Sequence, residues 1–290
     1  MADIEVTAQF KAPRARSVKI YRLASPRVSE KSLKSVAAHF GLDPASKRAT
    51  TCSDRNKLVY SEGPLEVTMF RASGGVRFRH MARWQMDDGG PDFAISDEAG
   101  QKRAQEIVNR FKWDGGEQRF LKAARLRVGE ANVDKKHVGD RTIDVAVAFQ
   151  RLVDGLPVDG PGGKLIIYLD RHGEATAVER LWRELDRPSG EAHLLPPEAA
   201  IENLARHLKS KRGMIEVSEI RLGYFEYGWK DRQQVLQPAY VLIGHTGARD
   251  SRARRKIVHV APAIDNPPVR LTPPLRRKAP QPKRNARNAA

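Results

Sequence analysis

The chain has 290 residues and a mass of 32.5 kDa, 40% hydrophobic and 30% charged, so at roughly 100–200 residues per domain it holds about two domains and can bury a core. Its 52 Lys plus Arg against 35 Asp plus Glu give a net charge of +17, and no apolar run reaches the roughly 18 residues of a membrane helix, which excludes a helical membrane protein. Asp3 and Glu5 stand where an export signal carries basic residues, and the single Cys52 excludes an internal disulfide framework; together they predict a cytoplasmic protein.

In chain order, residues 17–23 alternate as a strand. Ser29 can then cap a helix whose apolar positions Leu33, Val36, Ala37 and Phe40 share one face, with Gly41 as the stop. Strand patterns follow at 57–61, 65–71 and 75–84, separated by Glu62-Gly63-Pro64 and by Ala72-Ser73-Gly74-Gly75. Ser96 precedes a second helical stripe of Ala99, Ala104, Ile107, Val108 and Phe111. Strands are predicted at 120–128, 142–152 and 164–170, then a third helix after Pro196-Pro197 with Ala200, Ile201, Leu204, Ala205 and Leu208 on one face. The last strands fall at 215–227 and 239–245.

The order of one helix followed by several strands occurs three times, a repeat of about 90 residues. It predicts an α+β fold in which antiparallel sheets are each packed by a helix, as two or three related lobes. The expected divisions are an N-terminal lobe over 1–113, a C-terminal lobe or lobes over 114–265, and a disordered tail over 266–290. That tail has six prolines and seven basic residues with no acid.

Residues 143–170 contain Asp154-Gly155-Leu156-Pro157-Val158-Asp159-Gly160 between two strand patterns, followed by Asp170-Arg171-His172-Gly173. This resembles the strand, turn, strand, turn pattern of PepSY-like and protease-propeptide modules, with 96–113 and 195–208 similar to their helices. Residues 18–79 resemble the YycH and YycI type of regulatory protein. The resemblance implies a binding or inhibitory module that contacts peptides or proteins and has no catalytic residues.

Catalytic and cofactor motifs are missing from the sequence. Gly160-Pro161-Gly162-Gly163-Lys164 lacks the first glycine and the Ser/Thr of a phosphate-binding loop, which leaves a hairpin turn. The eight histidines show no spacing that puts two on one helix face, no Gly-x-Ser-x-Gly occurs, and Cys52 lies in a polar stretch. No metal, cofactor or catalytic residue is named by these motifs, and a non-enzyme is the favoured reading; an enzyme whose site is assembled from distant residues stays open, because sequence order hides spatial convergence.

The aromatic residues carry the binding expectation. Across 220–229, alternation puts Tyr224 on one face and Phe225, Tyr227 and Trp229 on the other, and Trp182 adds a further large ring. One reading is a buried strand. The other makes Tyr224, Phe225, Tyr227, Trp229 and Trp182 an aromatic groove for a peptide or protein segment, with strand addition at the edges 65–71 and 220–229. The alternative function is nucleic-acid association through a loop-tip cluster of Arg252, Arg254, Arg255 and Lys256, and through Arg276, Arg277 and Lys278 in the tail.

Overall fold

The computed structural model describes residues 3–8, 10, 16–86, 92–93, 95–111, 117–131, 133–134, 137–207, 214–247, 254–269 and 271. In chain order the elements are β1 (Asp3–Val6), β2 (Ser17–Leu23), α1 (Glu30–His39), β3 (Thr50–Ser53), β4 (Lys57–Glu62), β5 (Leu65–Phe70), β6 (Val76–His80), α2 (Asp97–Arg110), β7 (Gln118–Ala131) and β8 (His137–Val153). They continue as β9 (Leu156–Asp159), β10 (Lys164–Leu169), β11 (Ala175–Leu181), β12 (Leu185–His193), α3 (Pro197–His207), β13 (Met214–Phe225), β14 (Val235–Leu236), β15 (Pro238–Thr246) and β16 (Arg255–Pro262).

The helices start where their capping residues predict. Ser29 accepts from the Ser32 N–H while the Ser32 hydroxyl accepts from the Ser29 N–H, and α1 ends at Phe40 before Gly41 turns the chain at φ +82. Ser96 caps α2 through the Ala99 N–H, and Pro197 opens α3. In the β8–β9 hairpin Val153 pairs Leu156, so Asp154 and Gly155, at φ +51 and +72, form a two-residue turn that matches strand twist.

The assembly of these elements departs from the expected lobes. Among the described residues 51% are strand, against 15% helix. Thirteen of the described strands form one mixed sheet in the order β16-β15-β13-β9-β8-β10-β11-β6-β5-β4-β3, with β1 on β13 and β7 on β8. Only β12, β2 and β14 form a separate sheet. The fold is therefore a large sheet dressed by three described helices, not a set of helix-packed antiparallel lobes. The cause lies in long-range pairings that local periodicity does not encode: β11 joins β6 across about a hundred residues, and β13 pairs β9 and β1 in parallel. No helix is long and apolar enough to cross a membrane among the described residues.

Two expected edges are interior strands. β5 lies between β4 and β6 and so offers no open ladder, while β13 is paired along one side by β15 and on the other by β1 at Met214–Val217 and by β9 at Tyr224 and Phe225. The expected tail begins inside the fold: Gln237 exchanges two hydrogen bonds with the Val269 backbone (2.9 and 3.1 Å), and Leu271 is buried against Phe225 and Ala239. Residues 272–290 lie outside the described residues.

Candidate functional site

Strand alternation gives the two faces of the sheet different jobs. Leu58, Tyr60, Val67, Met69, Val76, Phe78, Val145, Val147, Leu165, Ile167 and Val178 form the main core with Leu33 and Ala37 of α1 and Ala104, Ile107 and Val108 of α2. The intervening residues face the opposite way. Register places Ser61, Glu66, Arg79, Ala177, Tyr168 and Ala146 in one row across β4, β5, β6, β11, β10 and β8. The next row is Val59, Thr68, Arg77, Glu179, Ile166 and Ala148. Arg77, Arg79, Tyr168, Ile166 and Ala146 remain half-buried, so the centre of this face is partly exposed.

A tryptophan-bearing loop walls each side. After β6 the chain turns back over the sheet, so that Trp84 meets Tyr168 edge-on at 5.9 Å and the Arg79 guanidinium lies 3.9 Å from the Trp84 ring centre. After β13 the loop 226–233 brings Trp229 over Gly75 and against Phe70 (4.8 Å), and Arg77 lies over the rings of both Trp229 and Phe70 (5.0 and 5.4 Å). Glu179 joins the two arginines, 2.8 Å from Arg77 Nε and 3.7 Å from Arg79 Nη2. Met81 and Met86 stand 51% and 54% exposed on the first wall, adaptable apolar side chains beside the open face.

Each wall is braced by a buried acid. Gln85 takes a left-handed backbone conformation, φ +54, and its N–H donates to Asp144 Oδ2 at 2.6 Å while the Thr176 hydroxyl donates to Asp144 Oδ1 at 3.1 Å. Arg83 pairs with Asp170 in the same wall. Burial pushes the Asp144 carboxyl up to about 6, against the pull of the Gln85 and Thr176 hydrogen bonds. In the second wall Glu226 accepts from both the backbone N–H and Nη1 of Arg183, each at 3.0 Å. Arg183 also donates to the carbonyls of Tyr227, Gly228 and Asp231, and Arg151 donates to the Arg183 carbonyl. Burial pushes the Glu226 carboxyl up while Arg183 and Arg151 pull it down. Ser73 fixes the Trp229 carbonyl (2.9 Å), and Gln233 ties Tyr227 to Phe225 and Val235.

The residues named from the sequence take different places. Trp229 reaches the open face. Tyr224 is fully buried, meets Tyr21 at 6.0 Å and donates to the Lys19 carbonyl; Phe225 is buried with Ala239, and Tyr227 packs on Phe225. Trp182 is buried with Arg151 and Arg180 over its ring. These five thus do not line one groove. Lys164, which follows the glycine turn, points its ammonium back at the Gly160 and Gly162 carbonyls, so the loop holds its own cation. Of the basic cluster, Arg254 pairs with Glu216 at 2.8 Å, while Arg255 and Lys256 are exposed at the start of β16 instead of at a loop tip. Arg252, Arg276, Arg277 and Lys278 lie outside the described residues.

Sequence reading missed Arg77, Arg79, Trp84 and Tyr168. The signal was present in Val76-Arg77-Phe78-Arg79, where strict alternation sets two guanidiniums on one face of a strand with its core on the other. Among the described residues no group of three or more His, Cys, Asp or Glu side chains converges as a metal site.

No family model matches the chain, and no curated protein matches it. A solved structure is similar in fold: an uncharacterized protein from Eubacterium rectale, 13% identical, with a TM-score of 0.52 over 93% of this chain and 90% of that one. At that identity the likeness concerns the fold alone.

Proposed function

We propose that this chain is a non-catalytic binding protein that holds a peptide or protein segment across the open face of its large sheet. The observation that carries the reading is the pair of braced walls: Trp84 and Trp229 stand on opposite sides of a half-buried floor of Arg77, Arg79, Glu179, Ile166 and Tyr168. Large rings with polar edges supply contact area at small entropic cost, and walls already fixed by buried hydrogen bonds lower the ordering cost of binding. Arg77 and Arg79 favour a segment carrying acidic residues. A cytoplasmic setting belongs to the proposal, since the one cysteine, Cys52, is exposed and unpaired.

The test is selection of dodecapeptides from a random display library on the full chain, followed by affinity measurements. Selected peptides are expected to lose about tenfold or more in affinity on Trp229→Ala and on Trp84→Ala, with the fold retained by circular dichroism. Binding that is indifferent to both tryptophans contradicts the reading. So does a chain that retains only nucleic acid, with affinity falling steeply with salt, which is the result expected for the basic-patch alternative.

A further inference from the structure

At the Trp229 side of the open face a pocket of about 190 Å³ is lined by Asp54, Asn56, Lys57, Glu66, Thr68, Phe70, Arg77, Arg79 and Lys230. We infer that this pocket is an oxyanion site that receives a carboxylate side chain of the bound segment; the inference rests on the groove reading above and names the chemistry of its ligand. Four cations, Lys57, Arg77, Arg79 and Lys230, line the pocket against two carboxylates. Both carboxylates have local partners: Asp54 accepts from the N–H groups of Asn56 (2.6 Å) and Lys57 (2.9 Å), and Glu66 accepts from the Thr68 hydroxyl (3.3 Å).

The two arginines sit two residues apart on one strand face; Glu179 lies 2.8 Å from Arg77 Nε and 3.7 Å from Arg79 Nη2, and Glu66, opposite Arg79 in the register, is a second carboxylate acting on Arg79. Burial, and then repulsion from Arg77, pull the Arg79 guanidinium below its ordinary range against the opposing pull of Glu179 and Glu66, and an incoming anion relieves the repulsion. Ring stacking holds both guanidiniums in place before any ligand arrives, Arg77 on Phe70 and Trp229, Arg79 on Trp84. Planar forks held this way match the planar oxyanion of a carboxylate.

The experiment titrates the full chain with acetyl-pentaglutamate amide, acetyl-pentaglutamine amide and inorganic phosphate, following tryptophan fluorescence and calorimetry at low salt. Pentaglutamate is expected to bind about tenfold more tightly than pentaglutamine, and Arg77→Met to abolish the difference. Lys230→Ala, an exposed change that leaves the sheet untouched, is expected to narrow it about threefold and serves if Arg77→Met fails to fold. Equal binding of the two peptides overturns the oxyanion site and leaves the groove reading standing. Arg77-dependent binding of phosphate with neither peptide bound supports the oxyanion site, with free phosphate as its source, and counts against the groove reading. A preference for pentaglutamate that survives both substitutions overturns the inference.

Discussion

Asp144 and Glu226 are acids in positions that only structure could justify, and each fixes a loop that carries a tryptophan. Asp144 titrates near 6 in the fold and near 3.8 unfolded, so the folded state holds its proton more tightly and the ionised form is penalised. The penalty is absent below about pH 4, grows as pH rises through 6, and is constant above it. Asp144→Asn keeps an acceptor for the Gln85 N–H and loses the charge, so the variant is expected to match wild type near pH 4 and exceed it by about 1–3 kcal/mol near pH 8 in denaturant titrations. A variant less stable than wild type at the higher pH contradicts this. Arg183 and Glu226 are 2% and 0% exposed, so Arg183→Met leaves the buried Glu226 carboxylate with only Arg151 at 4.0 Å and the residue-183 N–H, and is expected to cost about 3 kcal/mol. The double variant with Glu226→Gln is expected to recover part of that loss, because the buried charge that had lost its closest cation has gone.

At the scale of elements, β6 and the loop after β13 define the site jointly. A Cβ added at Gly75 would lie 2.7 Å from Trp229 Cζ3 and 3.1 Å from Leu181, so Gly75→Ala must displace the ring. The expected result is a red-shifted Trp229 emission, about 1–3 kcal/mol lost, and peptide affinity lowered as by Trp229→Ala; unchanged affinity would place the groove elsewhere. The helices were legible from sequence because their signals are local: Ser29 with Ser32, Ser96 before Asp97 and Glu98, and Pro197 each act within a few residues. β11, which carries Glu179, was passed over in the sequence, but the cores of β2, β4, β5, β6, β7, β8, β10, β13 and β15 were legible for the same reason. β12 was not, since Pro188, Ser189 and Gly190 read as a turn, yet it pairs β2 through register shifts at those positions. β13 ends at Phe225, short of the strand pattern at 220–229; the Glu226 N–H still bonds the Asp159 carbonyl at 2.9 Å, and its side chain takes Arg183, 43 residues away, as partner.

Over the whole molecule, topology turns an amphipathic strand into a site. Arg77 and Arg79 alternate with Val76 and Phe78 in the sequence, but their surroundings come from the loop that follows β6 directly and from β11, β10 and the Trp229 loop far along the chain. Local patterning therefore gave the pieces and not the single sheet, and it directed attention to Tyr224 and Phe225, whose aromatic density serves the interior. The same topology leaves one face of the central strands covered by α1 and α2 and the other held between two walls, which is the arrangement the binding proposal uses.

The most direct measurement is backbone hydrogen exchange of the full chain, free and saturated with the tightest selected dodecapeptide. Exchange is expected to slow in the two walls, residues 81–86 and 226–233, and at the outer ends of β4 and β5, with α3 and β16 unchanged. Slowing confined to β7 or β16, or to residues beyond 265, would contradict this expectation and place the partner on a sheet edge or on the basic C-terminal segment.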